Sequence, residues 1–270
     1  MEVEAESQPV KVLTVGGSDS GGAAGIQADL KTWTALAAYG MSVITTVTAQ
    51  NSLEVTAVQF ISPELVKSQI AAIFDDYGAE AVKTGLIGDT DLIKVISTML
   101  FDHEPNHIII DPVLVNHRQQ AMFSPHVVEA YRSLLLPLAD LVTPNWTEAL
   151  LLSGSSAAEA PDHDTIPRVI DQLHVLGARH VLITGMRQGS SVADIYSNNE
   201  RQLLLPMPWI ETDNTHGSGD TLSAAICAKL AQGLSMLEAI QQAQTFTAAA
   251  LRAARDWRMG KGHGPLSHFH

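Results

Sequence analysis

The stretch His107-Ile-Ile-Ile-Asp111 sets three isoleucines side by side with no polar interruption and closes them with an acid. A strand with one wet face alternates apolar and polar residues, whereas a strand covered by helices on both faces need not. HIIID therefore reads as a buried strand of a layered α/β protein, with its carboxylate at the carboxyl end, where open sheets of this kind take ligands. Outward from it, short β-branched runs alternate with longer amphipathic stretches, and residues 10–15, 42–48, 55–60, 81–84, 141–142, 180–184 and 191–196 read as further strands. Helix openings stand at Ser62-Pro63 and Ser124-Pro125, each a capping hydroxyl before a proline at the first helical position. Thr143-Pro144-Asn145 opens a short helix through Leu152, and two helices over about 217–232 and 235–255 precede a glycine-rich tail. Strands and helices in alternation predict an α/β fold.

The chain has 270 residues, 46% of them hydrophobic and only 17% charged, enough to bury broad layers without a disulfide or metal staple. Residues 1–9 read as a loose extension and 10–270 as a single domain, with Ser153–Pro167 a surface loop. Sixteen basic residues against 29 acidic ones leave a net charge of −13, which disfavours nucleic acid and anionic membrane as partners and means that an anionic substrate needs local help. Cys227 is the only cysteine, which excludes an internal disulfide and a cysteine zinc site and fits a reducing cytoplasm. The opening MEVEAESQPV lacks the basic start and apolar core of a signal peptide, and no apolar run reaches the length of a membrane span.

Three constellations could carry chemistry. The first, Val15-Gly-Gly-Ser-Asp-Ser-Gly-Gly-Ala-Ala-Gly25, follows a strand and precedes a helix; it matches neither the Rossmann nor the P-loop spacing, and a tight turn alone would explain it. Asp29 and Gln50-Asn51, placed near strand ends, favour a ligand site. The second is Asn214-Thr-His-Gly-Ser-Gly-Asp-Thr-Leu-Ser223, where the N–H groups of Gly217, Ser218, Gly219 and Asp220 gather at the positive end of an apolar helix. A carboxylate in an anion cradle makes sense if Asp220 takes a proton from a hydroxyl while the amides stabilise a transferring phosphoryl group; the plainer alternative is an acid in the first turn of an ordinary helix. The third is Asp111 with Asn145 and Glu148, oxygen donors suited to a hydrated Mg²⁺, or, for Asn145 and Glu148, a helix capping pair. The eleven histidines read mostly as surface residues, with His263, His268 and His270 in a tail.

In these motifs the chain resembles the ribokinase-like superfamily and, within it, the hydroxymethylpyrimidine and phosphomethylpyrimidine kinases of thiamine biosynthesis. GGSDSGGAAGIQADLKTWTALAAYGMSVITTVTAQNS (16–52), KTGLIGDTD (83–91), IIDPVL (109–114), TPNWTEA (143–149), NTHGSGDTLSAA (214–225) and GKGHGPLSHFH (260–270) line up in order. The resemblance implies a three-layer α/β/α fold around a mostly parallel sheet, ATP and Mg²⁺, a small pyrimidine substrate and a homodimer. It places Gly17, Asp29, Gln50, Leu86 and Val113 around the pyrimidine, Asn145, Glu148, Thr184 and Gly219 around ATP, Asp111 and Glu148 near the metal, and Gly217, Ser218 and Gly219 in the anion hole beside Asp220. The chain departs from the family in four places. Asp220 replaces the usual Cys, Thr184 and Gln244 replace lysines, and Asn116-His117-Arg118-Gln119-Gln120 replaces the usual lid. The rivals are a pyridoxal kinase, favoured by Asp220, and a pyrimidine-binding sensor without transfer activity. Arg118 or His117 is expected to help hold the phosphate of a monophosphorylated acceptor.

Overall fold

The structure is a computed structural model that describes residues 8–188 and 191–269. Most of the expected N-terminal extension, and His270, lie outside the described residues.

In chain order the elements are β1 (Lys11–Asp19), α1 (Gly25–Ala35), β2 (Tyr39–Gln50), β3 (Val55–Phe60), α2 (Pro63–Phe74), β4 (Ala81–Thr84), α3 (Thr90–His103), β5 (His107–Ile110), α4 (Pro125–Ala130), β6 (Leu141–Val142), α5 (Trp146–Ser153), α6 (Thr165–Val175), β7 (His180–Gln188), β8 (Ser191–Ser197), β9 (Gln202–Met207), α7 (Ser218–Ala231) and α8 (Met236–Ala253). The strands form one sheet ordered β3-β2-β1-β4-β5-β6-β7-β8-β9. From β2 to β7 all neighbours are parallel; β3, β8 and β9 add antiparallel margins.

Apolar side chains leave the sheet on both faces, as HIIID requires. Ile108 and Ile110 join a core with Leu13, Val15 and the buried sides of α2, α3 and α6. Ile109 joins the opposite one, with Val12, Trp33 of α1 and the apolar sides of α7 and α8. Each central strand thus supplies both cores by strict alternation.

β2 and β7 run past the expected 42–48 and 180–184, α6 begins inside the expected 153–167 loop, and two further strands differ more from the sequence expectation. β1 does not stop at Val15 but runs to Asp19, with a register break against β2 between Gly16 and Gly17, so the first half of the glycine-rich segment is strand. β9 was not expected because Leu203, Leu204 and Leu205 mask its alternation and Pro206 argues against a strand. It is tolerated because β9 is the margin of the sheet, where one side needs no partner. The proline-led helix starts are present: Ser62 accepts the N–H of Leu65 at 3.3 Å, whereas Ser124 caps α4 without a side-chain bond.

Candidate active site

From β1 the chain turns first to β2 on one side and only later to β4 on the other. The crevice at the carboxyl ends of β1 and β4 is thus a topological switch point, where doubly wound sheets bind ligands. The chemistry-bearing residues gather there around a side chain the sequence reading did not single out, Lys83 of β4.

The Lys83 ammonium is wholly buried, 2.7 Å from Oδ1 of Asp29, 3.0 Å from Oδ1 of Asp220 and 3.6 Å from Oδ2 of Asp111. These acids arrive from α1, from the first turn of α7 and from the end of β5. Asp29 also accepts the hydroxyl of Thr14 at 2.6 Å, and Asp111 that of Ser223 at 2.7 Å. Burial opposes the charge on Lys83, but Asp220, Asp29 and Asp111 outweigh it and hold the ammonium above the usual lysine range. Burial pushes Asp29 up to about 7 against the pull of Lys83, and raises Asp111 for the same reason. With excess negative charge around one cation, Asp29 and Asp111 retain a proton more readily than exposed carboxylates do.

The mouth of α7 is built by Gly217, whose φ of +86° belongs to the left-handed region. A Cβ there would run into the carbonyl of Ala23, so the two glycine-rich segments close on each other only because this position has no side chain. Ser218 gives its N–H to the carbonyl of Thr215 at 3.1 Å, which removes it from the expected set of free donors. Among the described residues nothing accepts from the N–H groups of Gly217, Gly219 or Asp220, and the Cα of Gly219 faces open space. An open cradle of unpartnered amides at a helix start is suited to an anion.

Asn145 and Glu148 realise the capping pair. Asn145 accepts the N–H of Glu148 at 3.1 Å, and Oε2 of Glu148 accepts that of Asn145 at 3.1 Å. Glu148 does more than cap: its Oε1 accepts the N–H of Leu114 at 3.0 Å, tying α5 to the loop after Asp111. Burial, then the neighbouring Asp111, pushes Glu148 up to about 8. Thr184 is half-buried and bridges to Asn145, giving its N–H to the carbonyl of Pro144 at 2.9 Å.

The expected pyrimidine residues are partly assembled. Gly17, inside β1, lies against the side chain of Leu86. Gln50 ends β2, is half-buried, and its side chain reaches Asp19, whose carboxylate also accepts the N–H groups of Gly21, Ala23 and Ala24. Val113 is half-buried in the loop after Asp111. Asp29 belongs to α1 rather than to a strand end and is 1% exposed, with an oxygen on each of Thr14 and Lys83. His117 and Arg118 are exposed in the 116–120 turn.

Of the tail histidines, His263 is half-buried and His268 buried, so neither is a surface residue. His268 is buried with Nε2 3.0 Å from the hydroxyl of Thr221, and His263 lies 2.5 Å from Thr215 with its ring tilted against that of His216, the residue before Gly217. The tail therefore backs the anion loop. Lys83 had one local signal: a lysine inside Ala81-Val-Lys-Thr84, an otherwise buried strand, must be paired. Ser223 and Thr14 had none, since hydroxyls are unremarkable in helices and strands alike.

A mostly parallel sheet with an acid beside an amide cradle at its switch point defines a phosphotransferase of the ribokinase-like class. The chain belongs to the phosphomethylpyrimidine kinase family, whose model matches residues 19–267. The hydroxymethylpyrimidine/phosphomethylpyrimidine kinase of Rhizobium meliloti is 43% identical over 259 residues, 96% of each chain. Among solved structures, pyridoxal kinase of Bacillus subtilis, in an ADP complex, superposes with a TM-score of 0.88 at 35% identity, over 96% of this chain and 97% of that one. Phosphomethylpyrimidine kinase of Clostridium difficile superposes with a TM-score of 0.80 at 34% identity, over 90% and 99%.

Proposed function

We propose that this protein phosphorylates the hydroxymethyl group of 4-amino-5-hydroxymethyl-2-methylpyrimidine, and then the resulting monophosphate, with ATP as donor, for thiamine synthesis. The observation that carries the reading is the placement of Asp220: one carboxylate at the open mouth of α7, beside unpartnered amides and facing the switch-point crevice.

In this reading the acceptor hydroxyl lies against Asp220. Its oxygen attacks the γ-phosphorus of ATP, a new O–P bond forms, the bond to the β-bridging oxygen breaks, ADP leaves, and the hydroxyl proton passes to Asp220. The N–H groups of Gly217, Gly219 and Asp220 take up the charge spreading over the equatorial oxygens. Gly17, Asp29, Gln50, Leu86 and Val113 are assigned to the pyrimidine side; Asp29, with Thr14 and Lys83 on its oxygens, acts from a fixed, dry position. Asn145, Glu148, Thr184 and Gly219 are assigned to the nucleotide side. A groove of about 360 Å³, lined by Leu205–Pro208 of β9 and its exit and by Gln241, Gln244 and Thr245 of α8, has room for the nucleotide base.

A hydrated Mg²⁺ fits this site: Asp111 and Glu148 are buried oxygen donors whose proton affinity is raised, and no lysine or arginine among the described residues pairs with Glu148. Held by these two acids through its waters, it would neutralise charge on the β- and γ-phosphates.

A homodimer is part of the proposal. β3 forms one margin of the sheet, its six residues are all exposed, and none is charged, with Val55, Val58 and Phe60 each at least 40% exposed. An antiparallel pairing of β3 with its copy would satisfy that edge under two-fold symmetry. No described helix is long and apolar enough to cross a membrane; a reducing cytoplasm suits the lone, buried thiol of Cys227.

The likeness to the Bacillus pyridoxal kinase favours one second reading, phosphorylation of pyridoxal. Side-by-side assays of both alcohols with ATP separate the two, and product stoichiometry shows whether the pyrimidine receives one phosphate or two. Absence of ATP turnover with either alcohol would overturn both and leave a binding protein. Asp220→Asn should lower kcat for the pyrimidine by about 10² or more while changing its KM little.

A further inference from the structure

Among the described residues Lys83 is the one buried lysine or arginine, and the transfer chemistry above makes no use of it. Its side chain is the link in a dry chain of contacts. The Thr14 hydroxyl donates to Oδ2 of Asp29 at 2.6 Å, Lys83 donates to Oδ1 of Asp29 at 2.7 Å, and Lys83 donates again to Oδ1 of Asp220 at 3.0 Å. Asp111, at 3.6 Å, lies beyond hydrogen-bond reach of the same ammonium. Thr14 and Asp29 are buried within β1 and α1, so this end of the chain is anchored in packed core. Asp220 is different. Its side chain is 15% exposed, and among the described residues no group other than Lys83 bonds to its carboxylate oxygens. Without that contact the carboxylate would turn about its last torsion, a broad two-fold well. With Oδ1 held, Oδ2 is the oxygen left to meet an acceptor.

We propose that Lys83 is a positioning residue for phosphoryl transfer: anchored on Asp29 and Thr14, it fixes Oδ1 of Asp220 and thereby presents Oδ2 to the acceptor hydroxyl. The inference rests on Asp220 being the proton acceptor. It also means that the acid assigned to the pyrimidine and the acid assigned to the hydroxyl share one ammonium, so the position of the ring and the aim of the base are mechanically linked. Proximity explains why this matters: a displacement of about 1 Å in a reacting group can cost about 10²-fold in rate.

A double-mutant cycle tests the proposal, with kcat and KM measured on the pyrimidine alcohol and ATP for wild type, Lys83→Met, Asp220→Asn and the double variant. A residue acting through Asp220 should lower kcat by about tenfold or more and leave the KM for ATP within about threefold, and its loss should add nothing in the Asp220→Asn background. Losses that multiply in the double variant, or a Lys83→Met enzyme with wild-type kcat, would overturn it. Circular dichroism and melting establish that each variant is folded. If Lys83→Met does not fold, Lys83→Gln, which keeps a donor and most of the volume but stops short of Asp220, runs the same cycle with the same two outcomes. Activity on pyridoxal but not on the pyrimidine would sink the proposed substrate while leaving the cycle to be run on pyridoxal. Wild-type kcat in Asp220→Asn would remove the base and the role of Lys83 with it.

Discussion

The side-chain amide of Gln244 on α8 donates to Oδ2 of Asp194 on β8 at 2.7 Å, and Oδ1 of the same carboxylate accepts the N–H of Gly185 at 2.8 Å. The pair is buried, and burial holds Asp194 above the usual carboxylate range. Gln244 stands where a lysine of the family is expected, and the structure shows what it does: it satisfies a buried acid that pins the turn after Thr184. Gln244→Ala should cost about 1–3 kcal/mol, the penalty for stranding a buried acceptor. It should also raise the KM for ATP more than that for the pyrimidine, because both the turn and the groove beside α8 are disturbed. Urea unfolding and steady-state kinetics on one preparation check both; an unchanged ATP KM would detach Thr184 from the nucleotide.

Gly217 joins two loops that carry different parts of the site. Gly217→Ala combines a left-handed backbone position with a clash against the carbonyl of Ala23. The strain alone is worth about 1–3 kcal/mol. The melting temperature should fall and kcat with it, since either loop must shift to admit a methyl group. Gly219→Ala, whose added carbon meets open space, should melt like wild type and impair transfer only by narrowing the cradle.

Glu148 yields a pH dependence with a definite sign. Its folded value, raised from 4.5 to about 8 by burial and then by Asp111, exceeds the unfolded one. The folded chain therefore binds this proton more firmly. The stability so gained is complete below about pH 4.5 and is lost as pH rises toward 8, with a limiting slope of about 1.4 kcal/mol per pH unit. The difference in melting temperature between wild type and Glu148→Gln should change in favour of the variant as pH rises from 5 to 8. Excess Mg²⁺ should stabilise wild type more at pH 8 than at pH 5, and this gain should shrink in the variant. Equal Mg²⁺ effects in both proteins would remove Glu148 from the metal site.

Arg118 is exposed in the turn that replaces the usual lid. In an acidic protein, the second phosphorylation presents an acceptor that already carries a phosphate, and a guanidinium is the side chain best shaped to meet it. Arg118→Ala should impair the second step by about tenfold more than the first, as expected for loss of a charge-assisted contact. Equal losses on both steps would place Arg118 outside the acceptor site.

Much of the fold is legible locally. Strands 55–60, 81–84, 107–110 and 141–142 fall where the β-branched runs place them, because a buried parallel strand is marked by its own composition. β9 is not, because three leucines in a row carry no period and its proline is acceptable only at a sheet margin, a property of the neighbours and not of the segment. The capping pair of Asn145 and Glu148 is visible as spacing, but the third contact of Glu148, to Leu114, joins α5 to a loop 34 residues away. The tail histidines looked free for the same reason: nothing near His268 in sequence points to Thr221.

Sequence alone determined the layered α/β class, the acid at the end of HIIID and the glycine-led mouth of α7 with Asp220 inside it, since each depends on residues within a few positions of one another. Tertiary structure alone decided that Asp29, Asp111 and Asp220 meet on Lys83, with contacts spanning 54 residues to Asp29 and 137 to Asp220. Periodicity reports which face of an element is dry, but not which other element will dry it. The order of strands in the sheet supplies that, and with it the ammonium that one of these acids needs in order to be aimed.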